Sequence, residues 1–242
     1  MPAWGSHPAR RSGILKIAAD DDGPTSGAPN ELVGAHPDLL TLAEDARRRL
    51  ARFCGLHLTP FTWLHMTALI AGPADQISTE QIRQMAAAAR RLLADVPPVT
   101  VTFGKILYHP EAIMLSARPA EALIPVLEAA RHAAREVTGN PGRAGNKLPL
   151  TPHVTIAYST ARQPAGPIIS ALGQSLPERR VQISSVSLVN QIGPERNWNW
   201  HPEATIRLGA TELYSALVAP GRMPARCGLS LVDVWRGNST SE

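Results

Sequence analysis

Two stretches of this chain place a threonine two residues after a histidine: His65-Met66-Thr67 and His153-Val154-Thr155. An imidazole titrates close to neutrality, with an ordinary pKa near 6.5, so two of them can act as one proton acceptor and one proton donor. A threonine hydroxyl beside each can hydrogen-bond and orient whatever is being acted on. The chemistry on offer is therefore acid-base catalysis by two histidines, provided both pairs reach one place. A third histidine of this type, His57-Leu58-Thr59, is followed at once by Pro60. Proline interrupts a strand ladder, so His57 is expected on the approach to a strand and outside the site.

Strands are the elements that would present such pairs. Trp63 to Ile70 is apolar and ends at Gly72-Pro73; His153 to Tyr158 is apolar and ends at Ser159-Thr160 and then Pro164. Each run predicts a short buried strand. Side chains alternate along a strand, so His65 and Thr67 share one face while Leu64, Met66 and Ala68 take the other. His153 and Thr155 likewise oppose Val154, Ile156 and Tyr158. On this alternation Trp63 also shares the His65 face.

The flanking elements recur in the same order. Leu39, Ala43, Ala46, Leu50 and Phe53 step by four and three from Asp38 and predict an amphipathic helix that stops at Gly55. Cys54, inside that segment, reads as a small core residue. After the first His/Thr strand, Ser78 and Gln81 form a capping-box pattern, and Ile82, Met85, Ala89 and Leu92 make a buried stripe. Strands are expected at 99–103 and 112–116, joined through His109-Pro110-Glu111. Then a helix follows Pro119, with Leu123, Leu127, Ala130, Ala134 and Val137 in phase and Gly139 near its end. A Gly- and Asn-rich basic loop, 140–147, leads to the second His/Thr strand. A shorter helix carrying Ile168, Ile169, Leu172 and Leu176, a strand at 181–189, a polar loop at 191–202 and a strand at 204–208 complete the order.

Helix, His/Thr strand, helix, strand, strand thus occurs twice. The offset from Leu39 to Leu123 is 84 positions and that from His65 to His153 is 88. A duplication on this scale predicts two α/β lobes, at about 35–118 and 119–210, related by a pseudo-twofold axis and sharing one site. Residues 1–34 are rich in Pro, Gly, Ser and Asp and are expected to be mostly disordered, with 14–18 as a candidate first strand. Residues 211–242 exceed what the duplication needs and are expected to form a C-terminal extension.

Composition narrows the class. Of the 242 residues 44% are hydrophobic and 18% charged, as in an ordinary globular protein. No apolar run approaches the roughly 20 residues of a membrane span, and the N-terminus has no secretory pattern, so a cytoplasmic location is expected. The two cysteines, Cys54 and Cys227, form no CxxC. HExxH is absent too, and a metal hydrolase needs three or more convergent ligands at recognisable spacing, a pattern this sequence does not offer. A formal charge of +4 fits an anionic small ligand better than a DNA duplex.

On the residues Leu64-His65-Met66-Thr67 and Pro152-His153-Val154-Thr155, their separation and the doubled element order, the chain resembles the two-histidine (2H) phosphoesterase superfamily, in its bacterial 2′-5′ RNA ligase-like branch. The resemblance spans roughly 32–209. It implies an α+β fold of two pseudo-twofold lobes whose antiparallel sheets flank a central cleft. It implies His65 and His153 as catalytic residues, Thr67 and Thr155 as the groups that hold phosphate, and no cofactor or metal. The implied substrate is an RNA end or small nucleotide with a 2′,3′-cyclic phosphate or a 2′-5′ linkage, handled by a monomer. Trp63, Trp198 and Trp200 are candidates to stack on a base, and Arg143 and Lys147 to attract phosphate. The alternative of another class is a protein that binds RNA ends or nucleotides in the same cleft without turnover.

Overall fold

The computed structural model describes residues 12–18, 36–143, 151–192 and 199–210. Helix α1 (Pro37–Leu50) starts where Pro37 fits the first turn and buries Leu39, Leu42, Ala43, Ala46 and Leu50. The helix ends at Leu50, before the expected stop, so Cys54 falls out of phase with the stripe and is exposed, contrary to the core role expected for it. Strand β2 (Leu56–Leu58) follows, then a 3-10 turn at Phe61–Trp63 and strand β3 (Met66–Pro73). Helix α2 (Thr79–Leu93) opens on the expected capping box, with Ser78 as N-cap and Gln81 returning the bond. Strands β4 (Val99–His109) and β5 (Ala112–Ser116) form a hairpin through the His109-Pro110-Glu111 turn.

Helix α3 (Ile124–Thr138) carries Pro125 in its first turn and ends on Gly139, whose φ of 73° is left-handed. The chain then passes close to β3. Ile70 and Arg143 exchange two backbone hydrogen bonds of 2.8 Å, and Gly142 lies so near that a Cβ there would meet the Ile70 carbonyl at 2.7 Å. Strand β6 (His153–Ser159) and helix α4 (Ala165–Leu172) come next.

The region after α4 departs from expectation in two ways. Gly173 ends that helix, so Leu176 belongs to strand β7 (Ser175–Ile183), and the single strand expected at 181–189 is two: β7 and β8 (Ser185–Ile192), broken at Ser184. Pro177 is tolerated because β7 is an edge strand paired only with β4. Strand β9 (Asn199–Arg207) begins earlier than expected and pairs with β8. His57 lies inside a ladder after all, with β2 pairing to the end of β6 and His57 opposite Tyr158. Pro60 stands beyond that three-residue pairing and does not disturb it.

All ladders are antiparallel, in the order β7-β4-β5-β6-β3-β1-β8-β9, where β1 is Ser12–Ala18. The α+β class with antiparallel sheets holds. The candidate first strand at 14–18 is present as Ser12–Ala18 and lies inside the sheet, bonded to β3 on one side and β8 on the other. The order is palindromic about the β6/β3 seam: β6 answers β3, β5 answers β1, and β4 answers β8. Helix α1 packs on β6 and β7 and against α4, whereas α3 packs on β3 and against α2, and α2 on β9. The helix that precedes each His/Thr strand therefore covers the other half of the sheet, α1 the half of β6 and α3 the half of β3. The halves 35–118 and 119–210 are interleaved in the sheet, because antiparallel pairing joins β4 to β7 and β5 to β6 across that boundary. The repeating unit is strand, helix, His/Thr strand, helix, starting at β1 and again at β5.

The core lies between the sheet and these helices. Met66, Ala68, Val154, Ile156, Leu115, Phe103 and Leu39 are all buried there. Full burial of a side chain of Leu, Ile or Phe size stabilises by about 1.5–3 kcal/mol. That fixes which face of β3 and β6 turns inward. The remaining residues, including the expected extension at 211–242, lie outside the description.

Candidate active site

The core determines where the polar pairs go. Met66 and Val154 are buried on the helix side and face each other as cross-strand partners of β3 and β6. One residue further each way, that antiparallel register sets His65 opposite Thr155 and Thr67 opposite His153. Directly opposed residues share a face, so all four predicted groups lie on the face turned away from the helices. The two histidines are diagonal neighbours across the seam, for which regular sheet geometry gives a separation of roughly 7–8 Å. Two imidazoles so placed can reach toward one small group between them.

Both rings are held the same way. His65 Nδ1 lies 2.8 Å from the Trp63 carbonyl and His153 Nδ1 lies 2.8 Å from the Thr151 carbonyl, in each case two residues back. A carbonyl only accepts, so Nδ1 must carry a proton in both rings, and Nε2 is the nitrogen whose proton comes and goes. His65 is 8% exposed, while His153 is half-buried. Thr67 and Thr155 are half-buried as well, and neither hydroxyl has a hydrogen-bond partner among the described residues.

The carbonyls that hold the rings are themselves fixed. On the first side Arg47 of α1 donates to the Thr59 carbonyl at 3.1 Å and stacks over Phe61 at 4.8 Å, pinning the 3-10 turn that ends in Trp63. Buried Leu64 anchors the next residue. On the second side Ala117 N donates to the Pro152 carbonyl at 2.9 Å, tying the approach to His153 onto the end of β5. Because Trp63 belongs to a turn, strand alternation does not apply to it; it packs against the core. Arg143 is exposed at the bridge to Ile70. Lys147, Arg196 and Trp198 lie outside the described residues, as does the side chain of Trp200.

Pairing also brings in a residue the sequence does not advertise. Ser116 on β5 is the direct partner of His153 and is only 6% exposed. Alternation along 112–116 puts Met114 and Ser116 on one face, but nothing in the sequence says which strand lies alongside. On the other half, Lys16 is the β1 partner of both Thr67 and Ser187, and Ser187 Oγ lies 3.2 Å from Thr205 Oγ1. A cavity of about 680 Å³, lined by Tyr108, Glu111, Arg162 and Gln163 among others, opens at the far end of β6. Burial pushes the Tyr108 phenol up, and its hydroxyl donates to the Gly173 carbonyl. Ser159 on its wall is six residues from His153, roughly 20 Å along a strand, so this cavity is separate from the histidines.

Comparison with known proteins agrees with this architecture. The model of the 2′-5′ RNA ligase superfamily matches residues 37–195, well over half of the chain and both His/Thr pairs. Among solved structures, TT0787 of Thermus thermophilus is 16% identical with a TM-score of 0.60, covering 82% of this chain and 98% of that one. E. coli LigT complexed with ATP is 16% identical with a TM-score of 0.54, covering 83% and 98%. The MHV ns2 PDE domain is 12% identical with a TM-score of 0.50, covering 75% and 99%. At such identities these likenesses concern the fold. Sequence comparison with curated proteins found no match. The palindromic sheet and the family match converge on one assignment: the chain belongs to the 2′-5′ RNA ligase superfamily, the two-histidine phosphoesterases.

Proposed function

We propose that this chain is a metal-independent phosphodiesterase that hydrolyses a 2′,3′-cyclic phosphate, or a 2′-5′ phosphodiester, of RNA or a nucleotide. His65 and His153 form the acid-base pair, and Thr67 and Thr155 hydrogen-bond the non-bridging phosphoryl oxygens. The observation that carries this reading is the matched tie of both rings, Nδ1 to a carbonyl at 2.8 Å, which reserves the same nitrogen on each for proton exchange. Structures of E. coli LigT with ATP, NADP+, 3′-AMP and phosphate support a nucleotide phosphate as the kind of ligand.

In the proposed step a neutral Nε2 on one side takes a proton from water as the water oxygen attacks phosphorus. The protonated Nε2 on the other side gives its proton to the departing ribose oxygen as the P–O bond breaks. A 2′,3′-cyclic phosphate thus becomes a phosphate monoester, and the histidines end with their protonation states exchanged. The hydroxyls of Thr67 and Thr155, unpartnered among the described residues, are available to fix the phosphorus, where a misplacement of about 1 Å costs on the order of a hundredfold in rate. Among the described residues no three His, Cys, Asp or Glu side chains converge, and the step calls on no such group.

The test is turnover of adenosine 2′,3′-cyclic phosphate from about pH 5 to about pH 9 with EDTA present. The expected profile is a bell. Its acid limb falls because the base must be neutral, and its alkaline limb falls because the acid must be protonated. Binding without turnover across that range would make the chain a nucleotide-binding protein instead.

A further inference from the structure

The two halves of the site are unequal on their outer sides. On the inner side each imidazole faces the threonine of the opposite strand, Thr67 for His153 and Thr155 for His65, by the register around Met66 and Val154. On the outer side His153 is paired with Ser116 of β5. The answering position beside His65 is Ala18 of β1, one step along the register from Ile17 opposite Met66. An alanine has no hydroxyl to offer.

Three observations single out Ser116. The bond from Ala117 N to the Pro152 carbonyl marks Ser116 and His153 as a non-hydrogen-bonded pair, the kind whose Cα atoms approach to about 4.5 Å and whose side chains are closest. The residue is 6% exposed, and its hydroxyl has no partner among the described residues. The hydroxyl oxygen is not among the buried unpartnered atoms of the described residues, so it is open to a ligand atom that could pair with it. The phosphoryl group belongs at the seam between the histidines. A polar group just beyond it, on the His153 side, is the sugar.

We infer that Ser116 is a third substrate-binding hydroxyl, which hydrogen-bonds a ribose oxygen next to the phosphate on the His153 side and so sets the direction in which a nucleotide lies across a nearly symmetric site. The inference rests on the function proposed above for the same four groups.

Calorimetric titration of the full chain and of Ser116→Ala, with adenosine 3′-phosphate and separately with inorganic phosphate, tests it. The nucleotide should bind about tenfold more weakly to Ser116→Ala, as expected for one lost hydrogen bond, and phosphate should bind equally to both. Ser116→Thr, which keeps the hydroxyl, should restore most of the nucleotide affinity. The thermal midpoint of Ser116→Ala should be unchanged or raised, since the hydroxyl removed has no partner among the described residues. Unaltered nucleotide affinity in Ser116→Ala, a parallel loss of nucleotide and phosphate binding, or a wild-type chain that binds neither would overturn the inference. A wild type that shows the Ser116 effect but never hydrolyses the cyclic phosphate refutes the proposed reaction and leaves Ser116 in place. Hydrolysis indifferent to Ser116→Ala does the reverse.

Discussion

The surroundings of His65 and of His153 hold the imidazole in the same way and differ in almost everything else. Both hold the ring through Nδ1 and a carbonyl two residues back, at the same 2.8 Å. Their supports differ. His65 follows a 3-10 turn pinned by Arg47, whereas His153 begins its strand directly and is tied through Pro152 to β5. The helix after His65 opens on a full capping box; the helix after His153 has Pro164 at its N-cap and no side-chain cap bond. Proton transfer needs the same nitrogen presented at the same height on both sides, and many local structures can deliver that. A substrate with two different ends gains from the remaining differences.

The largest effects should come from breaking what the halves share. His65→Ala and His153→Ala are each expected to lower turnover of adenosine 2′,3′-cyclic phosphate by about 10²–10⁴-fold with an unchanged circular dichroism spectrum. The register shift in β6 puts Tyr158, and His57 opposite it, on the same face as His153, but five residues along the strand, so His57→Ala should be nearly silent. A strong His57 effect would mean that the first half uses a different imidazole. Next in size, Thr67→Val and Thr155→Val should each cost about a hundredfold in kcat, as for a lost donor to a charged transition state. A loss confined to one of them would show that the phosphoryl group sits within one half and away from the seam. The Ser116 titration comes third, and it probes the outer difference directly. The smallest effect concerns scaffolding: Ser78→Ala removes the cap of α2 and should cost about 1 kcal/mol, lowering the melting midpoint by about 2–4 °C at unchanged kcat. A fall in kcat would instead couple the capping box to His65.

Much of the candidate site and of its scaffold is legible in the sequence because the signals are local. A His/Thr pair at spacing two, a Ser/Gln capping box and a glycine at a helix end depend on a few neighbouring residues, and the structure has Ser78, Gln81 and Gly139 in those roles. Errors arose where local signals ran out. Val181 to Val189 is apolar at 181 and 183 and again at 186 and 188, and the phase slip at Ser184-Ser185 between them is where the chain changes partners, from β4 at one edge to β1 and β9 at the other. Cys54 looked like core because the helix stripe was continued past its true end.

The sequence by itself determined the two His/Thr pairs, the faces they occupy along their strands and the doubled order of elements, since each follows from spacing and burial within a few turns of chain. Only the tertiary structure decided that Ser12–Ala18 lies inside the sheet, that the halves interleave, that Met66 meets Val154 and that Ser116 stands beside His153. Cross-strand partners are chosen by hydrogen bonds between segments far apart in the chain. Those bonds use backbone groups that every residue carries, so the side-chain pattern fixes which face of a strand is buried but not which strand lies alongside it.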